Sequence, residues 1–434
     1  MNVRIATTIT TFVWAFGSTS VFAEGEGVLA FKGFGTISTS RTFTDSAGYV
    51  NAVQPAKAGR PNQWTFSPET LIGAQLDIAP KSDISATVQV IAKHRNTDQI
   101  QADVEWAFIK YQFNPAWRLR VGRVLTPAFM DSEYRYVGYA NTYVRPAQEV
   151  YAQYPLSTHD GLDINYRASV GSGIASLTGY AGTSKIDGPA NPDGSLAFTY
   201  GSTDLKGFRA SWESESLSLS AGITRLTSAG LSGGGTTTLL PVLAAAKVAS
   251  TNFGATCPSC QNAVTALTTT MVDASGVFTL MNLGARYTMD DWAFWGEYAT
   301  TRTNEGLFRN ANLFTLGASR TFGNFTPFVT VNRTTWLESG SNAAVSTAEI
   351  ASIPSAPLRA ALNAYNASVI PPDNSRHSVA VGTRWDLAKN IALKGELWHV
   401  SLDSAVNAPA FPMATGVPRD TSFNVVTFAL DFVF

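Results

Sequence analysis

The sequence predicts an all-β fold, a sixteen-stranded antiparallel transmembrane β-barrel with short periplasmic turns and long extracellular loops. Three observations predict it: long runs in which apolar and polar residues alternate, connections that alternate between short and long, and aromatic residues beside the short connections. An even number of tilted strands with unequal connections at its two ends is the pattern of barrels that cross a bilayer.

Alternation with a period of two is the dominant pattern along the chain. Residues 71–79, 84–93 and 378–387 are examples, with apolar side chains on one parity and mostly polar ones on the other. Strands of soluble proteins usually have about 5–6 residues. Runs of about ten residues fit strands that cross a bilayer at a tilt.

The connections fall into seven tight turns and eight longer loops. The tight turns are "PKS" (80–82), "NPA" (114–116), "SVG" (169–171), "SES" (214–216), "MDD" (289–291), "GN" (323–324) and "AKN" (388–390). The longer loops are 39–68, 94–102, 125–159, 183–203, 227–276, 303–310, 338–375 and 402–420. The strands that remain are 28–38, 69–79, 83–93, 103–113, 117–124, 160–168, 172–182, 204–213, 217–226, 277–288, 292–302, 311–322, 325–337, 376–387, 391–401 and 421–434.

Aromatic residues bracket the tight turns. Tyr111 and Trp117 flank "NPA", Tyr287 and Trp292 flank "MDD", and Trp385 precedes "AKN". Amphipathic rings favour the headgroup region of a membrane, so this placement indicates a girdle at the periplasmic end of the barrel.

The N-terminus has the pattern of a secretory signal at residues 1–23. Arg4 precedes the short apolar run 5–16, and Val21 and Ala23 occupy the small-residue positions before a cleavage site. The mature chain, 24–434, is then predicted to be one barrel domain.

The last strand has one strongly apolar parity. Phe428, Leu430, Phe432 and Phe434 share it, while Asp431 lies on the other. We expect the four apolar residues to face lipid, Asp431 to face the lumen, and the strand to close the barrel against strand 28–38, since a bilayer tolerates no open sheet edge.

Composition excludes some classes of function. The chain has 31 basic and 32 acidic residues and a net charge of −1. It therefore lacks the excess of positive charge that is typical of proteins that bind nucleic acid. Nothing predicts a metal site or a cofactor. Cys257 and Cys260, in "ATCPSCQ", favour a small disulfide within a loop, with free thiols or metal and redox chemistry as alternatives.

Candidate pore-lining residues lie on two segments. Lys110, Arg118 and Arg120 can form a basic ladder on one wall, because residues two apart on a strand point to the same side; the alternative is that they only solvate a polar lumen. The loop 125–159 carries Asp131, Glu133 and Glu149, together with Arg135 and Arg145.

The same loop contains six tyrosines. Folded inward, its three acidic residues would face the basic ladder and set a transverse field. The tyrosines would either pack the loop onto the barrel wall or line a path for sugars. The tyrosines are Tyr134, Tyr136, Tyr139, Tyr143, Tyr151 and Tyr154.

The chain resembles the Gram-negative outer-membrane porins. The resemblance rests on the signal site, the opening strand "GVLAFKGFGTIS", the "VGR" strand before the long loop, the pattern "VGYA…VRP…EVY" within that loop, and the terminal "FALDFVF". It implies that the third long loop, 125–159, narrows the pore, that the protein is a homotrimer, and that the terminal Phe is read by the assembly machinery. The "PEFGG" element of well-known porins is missing from this loop.

These observations favour a non-enzymatic porin in the outer membrane that lets small hydrophilic solutes and ions diffuse passively. Its partners would be those solutes, outer-membrane lipids and lipopolysaccharide. One alternative is a channel selective for sugars or small organic anions. Another is a barrel whose loops act as an adhesin or enzyme, although "STHDG" (157–161) is a poor triad candidate and no G-x-S-x-G motif occurs.

Overall fold

A computed structural model describes most of the barrel and parts of its loops. The described residues are 28–45, 48–51, 59–96, 99–154, 156–188, 199–232, 276–303, 310–337, 347–352, 356, 359–360, 363, 375–403, 413–415 and 422–434. The predicted signal segment, Cys257 and Cys260 lie outside these residues.

Sixteen strands form the barrel, as the alternation pattern predicts. They are β1 (Val28–Thr42), β2 (Leu71–Ala79), β3 (Ile84–His94), β4 (Ile100–Gln112), β5 (Trp117–Leu125), β6 (Thr158–Val170), β7 (Gly173–Thr183), β8 (Thr199–Glu213), β9 (Leu217–Ser232), β10 (Val277–Met289), β11 (Trp292–Thr303), β12 (Ala311–Arg320), β13 (Phe325–Trp336), β14 (Arg376–Ala388), β15 (Ile391–Leu402) and β16 (Ser422–Val433). Each predicted strand coincides with one of them, and the ends differ by a few residues.

The barrel closes between its first and last strands. Every strand pairs antiparallel with its neighbours in sequence, and β1 pairs with both β2 and β16. The seam runs from Phe34 opposite Val433 to Thr42 opposite Val425. Phe434 extends it, because Gly33 and Phe434 exchange backbone hydrogen bonds of 2.8 and 2.9 Å. The predicted closure is therefore confirmed.

The two faces of the sheet have opposite chemistry. On the outside, apolar side chains such as Ile72, Ile109, Leu283 and Val331 are exposed. Inside, polar and charged side chains are buried. They include Gln89, Asp163, Asn165, Asn282, Glu297, Asn332, Glu396 and Asp431. This inversion of the soluble pattern is expected where lipid lies outside and a polar lumen inside.

Short turns gather at one end, here called the turn end, and the opposite end is the loop end. Several turns contain left-handed residues that suit tight hairpins: Gly171 and Gly323 at φ 60°, and Asn390 at φ 68°. Aromatic residues beside these turns are exposed on the outside, as the predicted girdle requires. They are Tyr111, Phe113, Trp117, Tyr287, Trp292, Phe322, Phe325 and Trp385.

The loop end carries a few small elements. Gly48–Tyr49 pairs with Met413–Thr415, and Lys185–Asp187 pairs with the start of β8. A short helix spans Thr347–Ser352. None of the helices in the described parts of the chain is long and apolar enough to cross a membrane.

Candidate functional site

Residues 126–157, which we call the inner loop, leave the loop end of β5 and fold into the barrel. The two ends of this loop are joined by a hydrogen bond of 2.9 Å, which the backbone N–H of Thr126 donates to the carbonyl of Ser157. The segment contains two short 3₁₀ turns, Ser132–Tyr134 and Gly138–Ala140, and one helical turn, Gln148–Tyr151. Because it contacts strands far around the barrel, it crosses the lumen.

Aromatic residues attach the inner loop to the wall. Phe129 packs on Tyr151, with 4.7 Å between the ring centroids, and Tyr154 stacks on Phe278 of β10 at 5.7 Å. Tyr143 lies against Trp295 of β11 at 5.6 Å. Tyr143, Tyr151 and Tyr154 are almost fully buried. Tyr143, Tyr151 and Tyr154 therefore pack the loop onto the barrel wall, which is one of the two roles expected for the tyrosines.

A buried ion pair holds the middle of the loop. Lys394 of β15 and Asp431 of β16 are 2.8 Å apart, and both side chains are inaccessible to solvent. Lys394 Nζ also donates to the carbonyls of Gly138 and Tyr143, at 2.6 and 2.9 Å. A side chain at Gly138 would overlap Asp431 and Thr36. The loop can therefore reach the wall here only because residue 138 is glycine.

Arg145 links the inner loop to two other parts of the molecule. Its guanidinium lies 3.1 Å from Glu396 of β15 and 3.4 Å from Glu69, which precedes β2. It also lies over the rings of Tyr49 and Trp398, at 4.6 and 5.3 Å from their centroids. Arg145 is thus buried and holds the inner loop to β15 and to the segment before β2. The sequence alone did not identify Glu69, Tyr49 or Trp398 as its partners.

Asp131 faces β10 and not the basic ladder of β4 and β5. Its carboxylate is 3.1 Å from Arg286 and accepts hydrogen bonds from Tyr134 and Tyr143. Next to it, Glu297 accepts from the Met130 backbone N–H at 2.8 Å. A carboxylate that is removed from water needs cations or hydrogen-bond donors as partners, and Arg286 and the neighbouring tyrosines supply them to Asp131.

Glu149 likewise faces away from the ladder. It is fully buried, and its nearest cation is Arg376 of β14 at 3.6 Å. The expectation that Asp131 and Glu149 both face Lys110, Arg118 and Arg120 is therefore wrong. Nothing in the local sequence distinguishes a loop acid that faces the gap from one that anchors the loop.

Glu133 is exposed, and it lies within electrostatic reach of Arg118 and Arg120. Arg120 is held by Asp163 of β6, at 2.7 Å, and lies opposite Lys110 across the β4–β5 pair. Among the described residues, Lys110 and Arg118 have no ion-pair partner.

A cavity of about 550 Å³ lies on the loop-end side of the inner loop. Arg135 and Tyr136 line it from the loop, and Lys93 lines it from β3. Burial raises the pKa of Tyr134, Tyr143, Tyr151 and Tyr154. At Tyr136 burial acts in the same direction, but Lys93 and Arg135 outweigh it and lower the pKa to about 8.

The terminal strand has the predicted parity. Phe428 and Phe434 are exposed on the outside, Leu430 and Phe432 are half-buried beside them, and Asp431 is buried in the lumen. The rings of Phe432 and Phe434 cover Gly35 and Gly33 of β1 across the seam.

The chain matches no protein-family model and no characterised protein sequence. Its fold, however, is similar to solved structures. These include an anion-selective porin from Comamonas acidovorans, with 12% identity, a TM-score of 0.52, and coverage of 94% of this chain and 100% of that one. The outer-membrane channel DcaP of Acinetobacter baumannii has 10% identity, a TM-score of 0.51, and coverage of 95% and 99%.

OmpT of Vibrio cholerae, an outer-membrane protein, has 10% identity, a TM-score of 0.50, and coverage of 96% and 100%. These identities are too low to establish a shared activity, but the coverage is nearly complete on both sides. The chain has the closed sixteen-stranded fold of the Gram-negative outer-membrane porins.

Proposed function

We propose that the chain is an outer-membrane channel, and not an enzyme, through which small hydrophilic solutes and ions diffuse passively. The observation that carries the proposal is the asymmetry of the lumen. The charged partners that anchor the inner loop include Arg286 on β10, Arg376 on β14 and Lys394 on β15. We infer that the conducting gap lies on the β4–β6 side, where Lys110, Arg118 and Arg120 lie on the wall. Glu133 of the loop lies within electrostatic reach of Arg118 and Arg120.

Purified protein in a planar bilayer tests the channel directly. We expect discrete conductance steps that grow with salt concentration, since a water-filled gap conducts dissolved ions. A correctly folded barrel that never conducts would refute the proposal.

A second candidate is a channel that favours small anions. It is supported by the excess of positive charge at the gap, where Lys110 and Arg118 lack ion-pair partners among the described residues and Arg118 Nε is buried without a hydrogen bond. A similar fold belongs to an anion-selective porin. Positive charge in a narrow gap raises the local concentration of anions.

Reversal potentials in a salt gradient separate the two candidates. We expect anion preference in the wild type and a shift towards cations in Arg118→Gln/Arg120→Gln. Arg320→Gln is the matched control, because Arg320 is exposed outside the barrel beside Trp292 and Phe322. Equal reversal potentials in the wild type and the double variant would place these arginines outside the conducting path.

We also propose a homotrimer, embedded among outer-membrane lipids and lipopolysaccharide. The support is the fold and the wide apolar outer face. Light scattering in detergent should give three times the mass of one chain, and the mass of one chain alone would contradict the trimer.

A further inference from the structure

We infer that Lys93, Arg135 and Tyr136 form a site that captures the carboxylate group of a small organic anion on the loop-end side of the inner loop. The inference rests on the proposed channel function and deepens it by naming a class of solute. The site is separate from the ladder of Lys110, Arg118 and Arg120.

The three residues line the same 550 Å³ cavity. Lys93 Nζ lies 3.6 Å from the ring centroid of Tyr136, and Arg135 Cζ lies 5.2 Å from the same centroid. Arg135 is also 6.0 Å from the ring of Tyr151. Two cations beside one aromatic ring repel each other, and an anion bound near both would relieve that repulsion.

Three arginines that line the cavity already have carboxylate partners, and Lys185, which also lines it, is exposed. The pairs are Arg95 with Asp103 at 2.7 Å, Arg123 with Asp160 at 2.7 Å, and Arg145 with Glu69 at 3.4 Å. Lys93 and Arg135 have no ion pair with a carboxylate among the described residues. Glu105 faces them, but it is held by Arg95 at 3.2 Å and by the Ser157 hydroxyl at 2.6 Å.

The chemistry of this pair suits a carboxylate. A guanidinium offers two parallel N–H donors to one carboxylate, and an ammonium adds a point charge. Tyr136, which both cations contact, packs against an apolar cluster of Phe34, Ile91 and Val137. A cavity of about 550 Å³ holds a small organic molecule with room for solvent.

Tyr136 gives the site a pH dependence. The charged groups facing its hydroxyl are Lys93 and Glu105 from the barrel wall, Arg95 after β3, and Arg135 beside it. Because its pKa is lowered to about 8, the phenol ionises near that pH and adds a negative charge next to the two cations. Anion capture should therefore weaken as the pH rises through about 8.

The experiment measures how succinate reduces potassium chloride conductance in a planar bilayer, with neutral succinamide as the control solute. We expect succinate to reduce the conductance and succinamide to have no effect. Lys93→Gln or Arg135→Gln should weaken succinate binding by roughly tenfold, because each removes a charge-assisted contact. Lys185→Gln, an exposed lysine at the same cavity, should change it by less than about twofold, as expected for a screened surface charge.

Further variants keep the inference falsifiable. Arg135→Lys should retain part of the binding, and Tyr136→Phe should bind succinate equally well on both sides of pH 8. Calorimetry measures succinate binding to the folded barrel in detergent, and it does not require the protein to conduct. A barrel that binds succinate without conducting would refute the channel proposal and leave the carboxylate site standing. Unchanged binding in both glutamine variants, or equal block by inorganic phosphate, would overturn the carboxylate site.

Discussion

At the scale of single residues, the charges of the inner loop divide into anchors and free groups. Asp131, Arg145 and Glu149 are buried against the wall, whereas Glu133 is exposed. Glu133 and Glu149 are the same residue type and lie within one loop. What separates them is whether a strand on the far wall offers a buried partner of opposite charge, and that depends on contacts between residues far apart in sequence.

Tyr136 allows a residue-scale prediction. Its pKa of about 8, set by burial against the stronger effect of Lys93 and Arg135, lies below the usual value of 10.0. Because the folded state binds this proton less tightly than the unfolded state, the folded state gains stability as the pH rises from about 8 towards 10. That contribution is lost as the pH falls through about 8.

Ultraviolet absorbance of tyrosinate measures this directly. We expect one tyrosine to titrate near pH 8 in the wild type, and this step to disappear in Tyr136→Phe. Tyr154→Phe is the control, since burial raises the pKa of Tyr154. A wild-type titration without a component below about pH 9 would contradict the assignment, given the usual tyrosine value near 10.

At the scale of elements, the sequence predicts the strands well and the path of the inner loop poorly. Alternation and turn residues are local signals, and they locate all sixteen strands to within a few residues. The resemblance also indicates that the third long loop folds inward. The contacts of Lys394 and Arg376 with that loop join positions more than two hundred residues apart, for which no local pattern exists.

The Lys394–Asp431 pair is the anchor whose loss should be most visible. Lys394→Met leaves Asp431 buried without its cation, which typically costs about 3–5 kcal/mol, and it removes the donor to Gly138 and Tyr143. We expect a lower unfolding temperature, measured by the heat-dependent gel shift of the barrel, and a larger, noisier conductance.

Two comparisons control this prediction. Lys206→Met removes the exposed partner of Asp204 and should have little effect. Asp431→Leu added to Lys394→Met should restore much of the stability, since no buried charge is left alone. A double variant less stable than the single one would show that the ion pair is not the cause.

Gly138 predicts a second element-scale effect. Gly138→Ala places a methyl group against Asp431 and Thr36, so the loop must move away from β16. We expect a conductance larger than that of the wild type, with a normal barrel by circular dichroism. An unchanged conductance would mean that the loop adapts without shifting.

At the scale of the whole molecule, the barrel depends on the seam between β1 and β16. Phe434 contributes both backbone hydrogen bonds to Gly33 and a ring that covers it. Deletion of Phe434 should therefore lower the yield of assembled barrel in the membrane, while the channels that do assemble keep the wild-type conductance, because the residue faces outward. Phe66→Ala is the control, since Phe66 is exposed and follows Thr65, which pairs with Ser40 at the end of the seam away from Phe434.

The position of the inner loop's anchors also has a consequence for the order of assembly. Gly138 and Tyr143 are held by Lys394 on β15 and, through it, by Asp431 on β16, which is the last strand of the chain. The attachment that involves Asp431 cannot form until the last strand is in place. Contacts of the loop with Arg286 on β10 and Arg376 on β14 need only earlier strands, so the loop is positioned in stages and the passage acquires its final width only when the last strand joins.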